Sequence, residues 1–93
     1  MGEPAEMGGL LEREVVVDTR SPYVYLGTLE ECSDGFVTLR DVDVHDTTDS
    51  RSTKEIYVMN ARKFGIQRNR ARVKIKLSEM ISISLLSDVL VFD

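Results

Sequence analysis

In the stretch "FVTLRDVDVHD", residues 36–46, the apolar side chains change parity halfway: Val37 and Leu39 are odd, Val42 and Val44 even. Successive side chains of a regular strand alternate between faces, so all four reach one core only if an extra residue intervenes. A β-bulge near Arg40 and Asp41 is therefore expected, and a bulged strand is a bent one. The preceding run, "YVYLGTLEEC" from Tyr23, carries Gly27 among β-prone residues, where a missing side chain lets a strand curve tightly. Ser33-Asp34-Gly35 joins the two runs as a turn, with Gly35 free to take positive φ. Two strongly bent antiparallel strands suit a small barrel better than a flat sheet.

Three more strands follow from pattern. "EVVVDT" (Glu14 to Thr19) is β-branched and is closed by "RSP", where Pro22 ends the strand. "RNRARVKIKL" sets Val73, Ile75 and Leu77 against Arg72, Lys74 and Lys76; "ISISLL" sets Ile81, Ile83 and Leu85 against Ser82 and Ser84. Ser78-Glu79-Met80 separates them. Between the third and fourth strands, "TTDSRS" reads as a loop and "STKEIYVMNARKFG" as a helix from Thr53 to Phe64. Ser52 and Glu55 have capping-box spacing, Ile56, Met59, Asn60 and Phe64 fall near a helical period, and Gly65 suits the position past the end. The alternative is a strand through "EIYVM". Residues 1–12 are either a frayed tail or a short helix ending near Arg13, and the closing "SDVLVFD" is an apolar tail in need of a surface. The expected fold is mostly β: one domain over residues 13–93, five bent strands, and a loop and helix inserted at about 47–71.

Ninety-three residues, 42% hydrophobic, leave room for one small core, which oligomerisation would naturally supplement. No apolar run approaches the roughly 18 residues of a membrane span, and the opening "MGEPAEMGGLLERE" is acidic where a secretory leader is basic. A soluble, cytoplasmic protein without a membrane partner is expected. One cysteine, Cys32, and one histidine exclude an internal disulfide and a Cys/His zinc set. In a regular strand Asp41, Asp43 and His45 share one side and offer a thin donor set for a divalent metal; a solvated acidic face is the alternative. No nucleophile accompanies His45, and Cys32 stands beside acids that raise its pKa. Neither a catalytic residue, nor a metal, nor another cofactor is expected, and the chain reads as a non-enzyme.

The net charge of −4 hides an asymmetry: residues 1–50 hold twelve acids and three arginines, residues 51–93 nine bases and four acids. A polyanion would have to meet the second half. There, Arg68, Arg70, Arg72, Lys74 and Lys76 occupy every second position; if extended, they project from one face at roughly 6.6 Å spacing, suited to tracking a nucleic-acid backbone. The alternatives are an ordinary solvated strand face, or pairing with Asp41 and Asp43 across the sheet.

Gly27, Leu29, Asp34, Phe36, Val37 and Leu39 resemble the first motif of the Sm/Lsm family and its bacterial member Hfq, and "VKIKLSEMISIS" resembles the second. The resemblance covers about residues 14–45 and 70–86. It implies a small five-stranded barrel of SH3-like form that assembles into a ring, the fourth strand of one subunit pairing with the fifth of the next. It also implies single-stranded RNA as a partner, with Phe36 at a base-stacking position; a core role for Phe36 is the alternative. Three departures bear on this. Gly27 and Asp34 are one residue further apart than in the family, implying a longer or bulged turn. Val37 and Thr38 stand where an Asn usually contacts the base. Leu77-Ser78-Glu79-Met80 replaces the usual cationic turn, and the Glu79 carboxylate repels phosphate. The barrel is thus implied and the usual uridine pocket is not. An assembly or protein-interaction module without nucleic-acid binding is the other reading.

Overall fold

The computed structural model describes residues 5–49 and 53–91. Its elements are β1 (Glu14–Thr19), β2 (Tyr23–Ser33), β3 (Phe36–Asp46), α1 (Lys54–Phe64), β4 (Arg70–Lys76) and β5 (Met80–Leu85). All pairings are antiparallel, in the order β4-β3-β2-β1-β5. The expected barrel is not closed: β4 and β5 are the two edges, and no ladder joins them among the described residues. The sheet is nonetheless curled, because only the 3-10 turn Leu77–Glu79 carries the chain from one edge to the other. Four Cα steps from Lys76 to Met80 span at most about 15 Å. Each edge therefore keeps unpaired backbone groups.

Two bulges bend the central hairpin. Leu26 pairs with Asp43 and Thr28 with Arg40, so Gly27 alone faces Asp41 and Val42. Asp41 takes a φ of 52°, and the inserted residue restores the parity of the strand: Val37, Leu39 and Val42 are all fully buried, with Val44 packed beside them. Gly27 serves more than curvature, since a Cβ there would lie 3.0 Å from the Arg40 carbonyl oxygen and 3.3 Å from Val42 Cα. The second bulge leaves Glu30 unpaired between Leu29↔Leu39 and Glu31↔Thr38. It absorbs the extra residue between Gly27 and Asp34, so the turn itself stays at two residues. Asp34 and Gly35, at φ 54° and 80°, both lie in the left-handed region, as a type I′ hairpin requires.

The sheet is covered on both faces. The inner core gathers Val15, Val17, Leu29, Val37, Leu39, Val42 and Ile75, capped by Met7 with Leu10 and Leu11. Those last three belong to, or directly follow, a 3-10 helix, Ala5–Leu10, and residues 1–4 lie outside the described residues. The helix is tied down by Glu12 N–H donating to the Leu29 carbonyl (2.7 Å) and Leu29 N–H to that of Arg13 (3.0 Å). On the outer face, Val16, Val24 and Leu26 form a second core with Ala61 of α1 and Leu86, and Val89 of the closing tail packs against it. Burial on both faces explains the unbroken "VVV" of β1.

Thr53, not Ser52, caps α1: its Oγ1 accepts from Ile56 N–H at 3.2 Å, and Ser52 lies outside the described residues. Gly65, at φ 95°, ends the helix and donates its N–H to Ala61 O at 2.8 Å. The strand alternative through "EIYVM" is not adopted. The helix is rotated from the expected face, however. Tyr57, Val58 and Ala61 pack inward, while Ile56 and Phe64 are 46% and 74% exposed. Polar anchors dictate that rotation: Tyr57 OH donates to Asp43 of β3, and Lys54 Nζ donates to Asp18 Oδ1 (2.6 Å) and the carbonyls of Thr19 and Ser21. No helix among the described residues is long and apolar enough to cross a membrane.

Candidate nucleic-acid interface

The β3–β4 register sets Phe36 opposite Lys76, Thr38 opposite Lys74 and Arg40 opposite Arg72. Directly opposed residues share a face, and Val37, Leu39 and Ile75 hold the inner one. Phe36, Arg40, Arg72, Lys74 and Lys76 therefore stand together on the outer face. Phe36 is half-buried and belongs to neither core, which removes its core reading; its even position turns it away from Val37 and Leu39. At this end the two sheet turns meet, with Leu77 N–H donating to Gly35 O at 2.9 Å. Arg20 braces the Leu77–Glu79 turn, its N–H donating to Glu79 O (3.1 Å) and its Nε to Ser78 O (3.2 Å). Val37 and Thr38, at 0% and 5% exposure, do not reach a ligand.

The basic stripe is divided. Arg68 precedes β4, in a connection rather than on the strand, and its Nη1 lies 3.5 Å from Asp41 Oδ1. Arg72 forks onto Glu30 through Nε (3.0 Å) and Nη2 (3.1 Å), while Arg40 forks onto Glu12 at 2.6 and 3.0 Å. These hydrogen bonds hold the Glu30 and Glu12 carboxyls below their ordinary range and push both guanidinium pKa values up. Sequence reasoning missed both glutamates. The extra residue between Gly27 and Asp34 was the available signal, since bulging Glu30 out of the ladder re-aims its side chain. Asp43 does not answer the stripe; it is buried and accepts from Tyr57 OH and from Asn69 Nδ2 (3.1 Å). Arg70, Lys74 and Lys76 have no carboxylate partner among the described residues, Arg70 Nη1 reaching only Asn69 O.

Asp41, Asp43 and His45 do not converge as a regular strand would have them do. The bulge leaves Asp41 at the surface beside Arg68, while Asp43 lies under α1 and His45 stacks on the Tyr57 ring at 3.6 Å between centroids. No three acidic, His or Cys side chains group as metal ligands among the described residues. Burial, the bond to Asp43 and its charge together push the Tyr57 phenol pKa up. A 480 Å³ cleft between α1 and the outer face of β1, lined by Val16, Val24, Ile56, Met59, Val89 and Leu90, lies apart from the stripe, none of whose residues line it.

No protein-family model matches the sequence, and no curated protein does either. Among solved structures, the chain is similar to a Pyrococcus abyssii Sm protein determined in complex with a uridine heptamer. The TM-score is 0.59 at 15% identity, over 86% of this chain and 92% of that one. The fold is Sm-like. At so low an identity the likeness reaches the fold and no further.

Proposed function

We propose that this Sm-like chain is a cytoplasmic, non-catalytic subunit of a homo-oligomeric ring that binds single-stranded RNA with little sequence preference. The observation that carries the reading is the placing of Phe36 directly opposite Lys76 and next to Lys74, outside both cores. An aromatic face beside ammonium groups that no carboxylate among the described residues neutralises suits stacking and phosphate contacts, neither of which reads sequence. The similarity to an RNA-bound Sm protein supports it. The two open edges, β4 and β5, support the ring, since the family resemblance implies that they pair between subunits. Glu79 at the turn opposes phosphate there, so the contact is assigned to the outer face of β3 and β4.

Anisotropy of labelled oligo-U and oligo-A at low salt tests the reading. Changing Lys74 and Lys76 to Ala should weaken both equally and flatten the slope of log affinity on log salt by about 0.7 for each phosphate no longer neutralised. No binding at low salt and roughly tens of micromolar protein, where non-specific phosphate contacts are at their strongest, would leave the second reading, an assembly module without nucleic acid. The pairs Arg72–Glu30 and Arg40–Glu12 favour that alternative, because they consume charge that RNA would use.

A further inference from the structure

We propose that the pocket beside Phe64 is a second nucleotide site, taking one base of the RNA strand that runs along β4; the inference rests on the RNA-binding reading above. The pocket has a volume of 270 Å³ and is lined by Asp43, Tyr57, Asn60, Phe64 and Gln67, at the junction of α1 with the connection to β4. That is just below the roughly 300 Å³ at which pockets begin to hold drug-sized molecules, and so is sized for a single base.

Its wall has the parts a base requires. The Phe64 ring is 74% exposed and packs in neither core, leaving an aromatic face for stacking, and Lys63 Nζ stands 5.4 Å from its centroid. Asn60 and Gln67 are exposed amides, each with one acceptor and two donors, and so match the mixed edges of an unpaired base. Asp43 and Tyr57 at the pocket wall are already bonded to each other and leave the amides to set the contact.

Position ties this pocket to the stripe. Asn69 Nδ2 donates to Asp43 Oδ1 in the pocket wall, and its neighbours in the chain are Arg68 and Arg70, where the stripe begins. From Arg70 the strand runs to Lys76, opposite Phe36. Six residue steps cover about 20 Å, roughly three nucleotide spacings. One strand of RNA thus has an aromatic ring at each end of its path and cations between.

The test compares Phe64→Ala and Gln67→Ala with wild type, by anisotropy with labelled U3 and U8, and maps cross-links from 4-thiouridine U8 by mass spectrometry. Because the ring is exposed, Phe64→Ala should keep the wild-type melting temperature, so lost binding is not lost folding. The expected result is U8 binding weakened about tenfold, a smaller effect on U3, and cross-links on the peptide carrying Phe64 and Gln67. Unchanged U8 affinity in both variants, with Lys74→Ala/Lys76→Ala still weakening it, overturns this site and leaves the RNA-binding reading standing. No binding of U8 to wild type overturns that reading and this site with it.

Discussion

Replacing Gly27 by alanine is the most direct probe of how this sheet is bent. The new Cβ would stand 3.0 Å from the Arg40 carbonyl oxygen, 3.2 Å from Val42 Cγ2 and 3.3 Å from Val42 Cα. Two of the three are backbone atoms of the bulged strand, and Val42 is fully buried, so nothing flexible is there to give way. Overpacking by one carbon in so closed a place costs about 1–3 kcal/mol. The lower entropy of an unfolded alanine chain offsets about 0.4–1 kcal/mol of that, leaving a net loss of about 1–2 kcal/mol. For a domain of this length each kcal/mol moves the melting temperature by about 4–8 °C, so a fall of about 5–15 °C is expected. Valine adds two more carbons to the same space and should cost about 3–5 kcal/mol, a large share of a total stability of about 5–14 kcal/mol. Circular dichroism melts measure both, with Gly9→Ala as a control, since a Cβ there meets nothing within 4 Å. A Gly27→Ala melt equal to or above wild type would refute the close approach across the bulge.

Other expectations concern charge, the buried carboxylate and assembly. The folded pKa values of Glu12 and Glu30 are held below 4.5, so their pairs stabilise the protein above that pH and the contribution is lost as pH falls through the lowered values. Urea melts from pH 6 to 2.5 should show the gap between wild type and Glu12→Gln/Glu30→Gln shrinking as pH falls below the ordinary carboxylate range; a gap independent of pH contradicts the pairing. Tyr57→Phe strips a donor from the buried Asp43 and should cost about 1–3 kcal/mol in urea melts. In wild type the Tyr57 phenol should resist ionisation past its ordinary 10, stabilising the fold up to that pH and less above it; a spectrophotometric titration in which all three tyrosines ionise together near pH 10 refutes this. Light scattering should give a multiple of the chain mass, reduced by Ile81→Lys on the β5 edge, where Ile81 is 64% exposed; a single-chain mass for wild type at micromolar concentration defeats the ring.

Whatever depends on neighbours along the chain was readable in the amino-acid order. The β1 run, the Asp34-Gly35 reversal and the glycine end of α1 rest on local steric preference. The bulge at Asp41 was readable as well, because Leu39 and Val42 differ in parity and must both reach the inner core, a conflict with few remedies. Which partner each charge meets was decided by the tertiary structure. Arg72 meets Glu30, 42 positions away, only because a second bulge turns that carboxylate toward β4. Asp43, expected at the surface, is buried because Tyr57 and Asn69 satisfy it from elements distant in sequence, and the same bond rotates α1 and leaves Phe64 outside. Phe36 was an ambiguous aromatic until the register set it opposite Lys76. Local propensity acts over a few residues and is written in their order, whereas register and helix rotation minimise unpaired polar groups over the whole fold, and so exist only once it has formed.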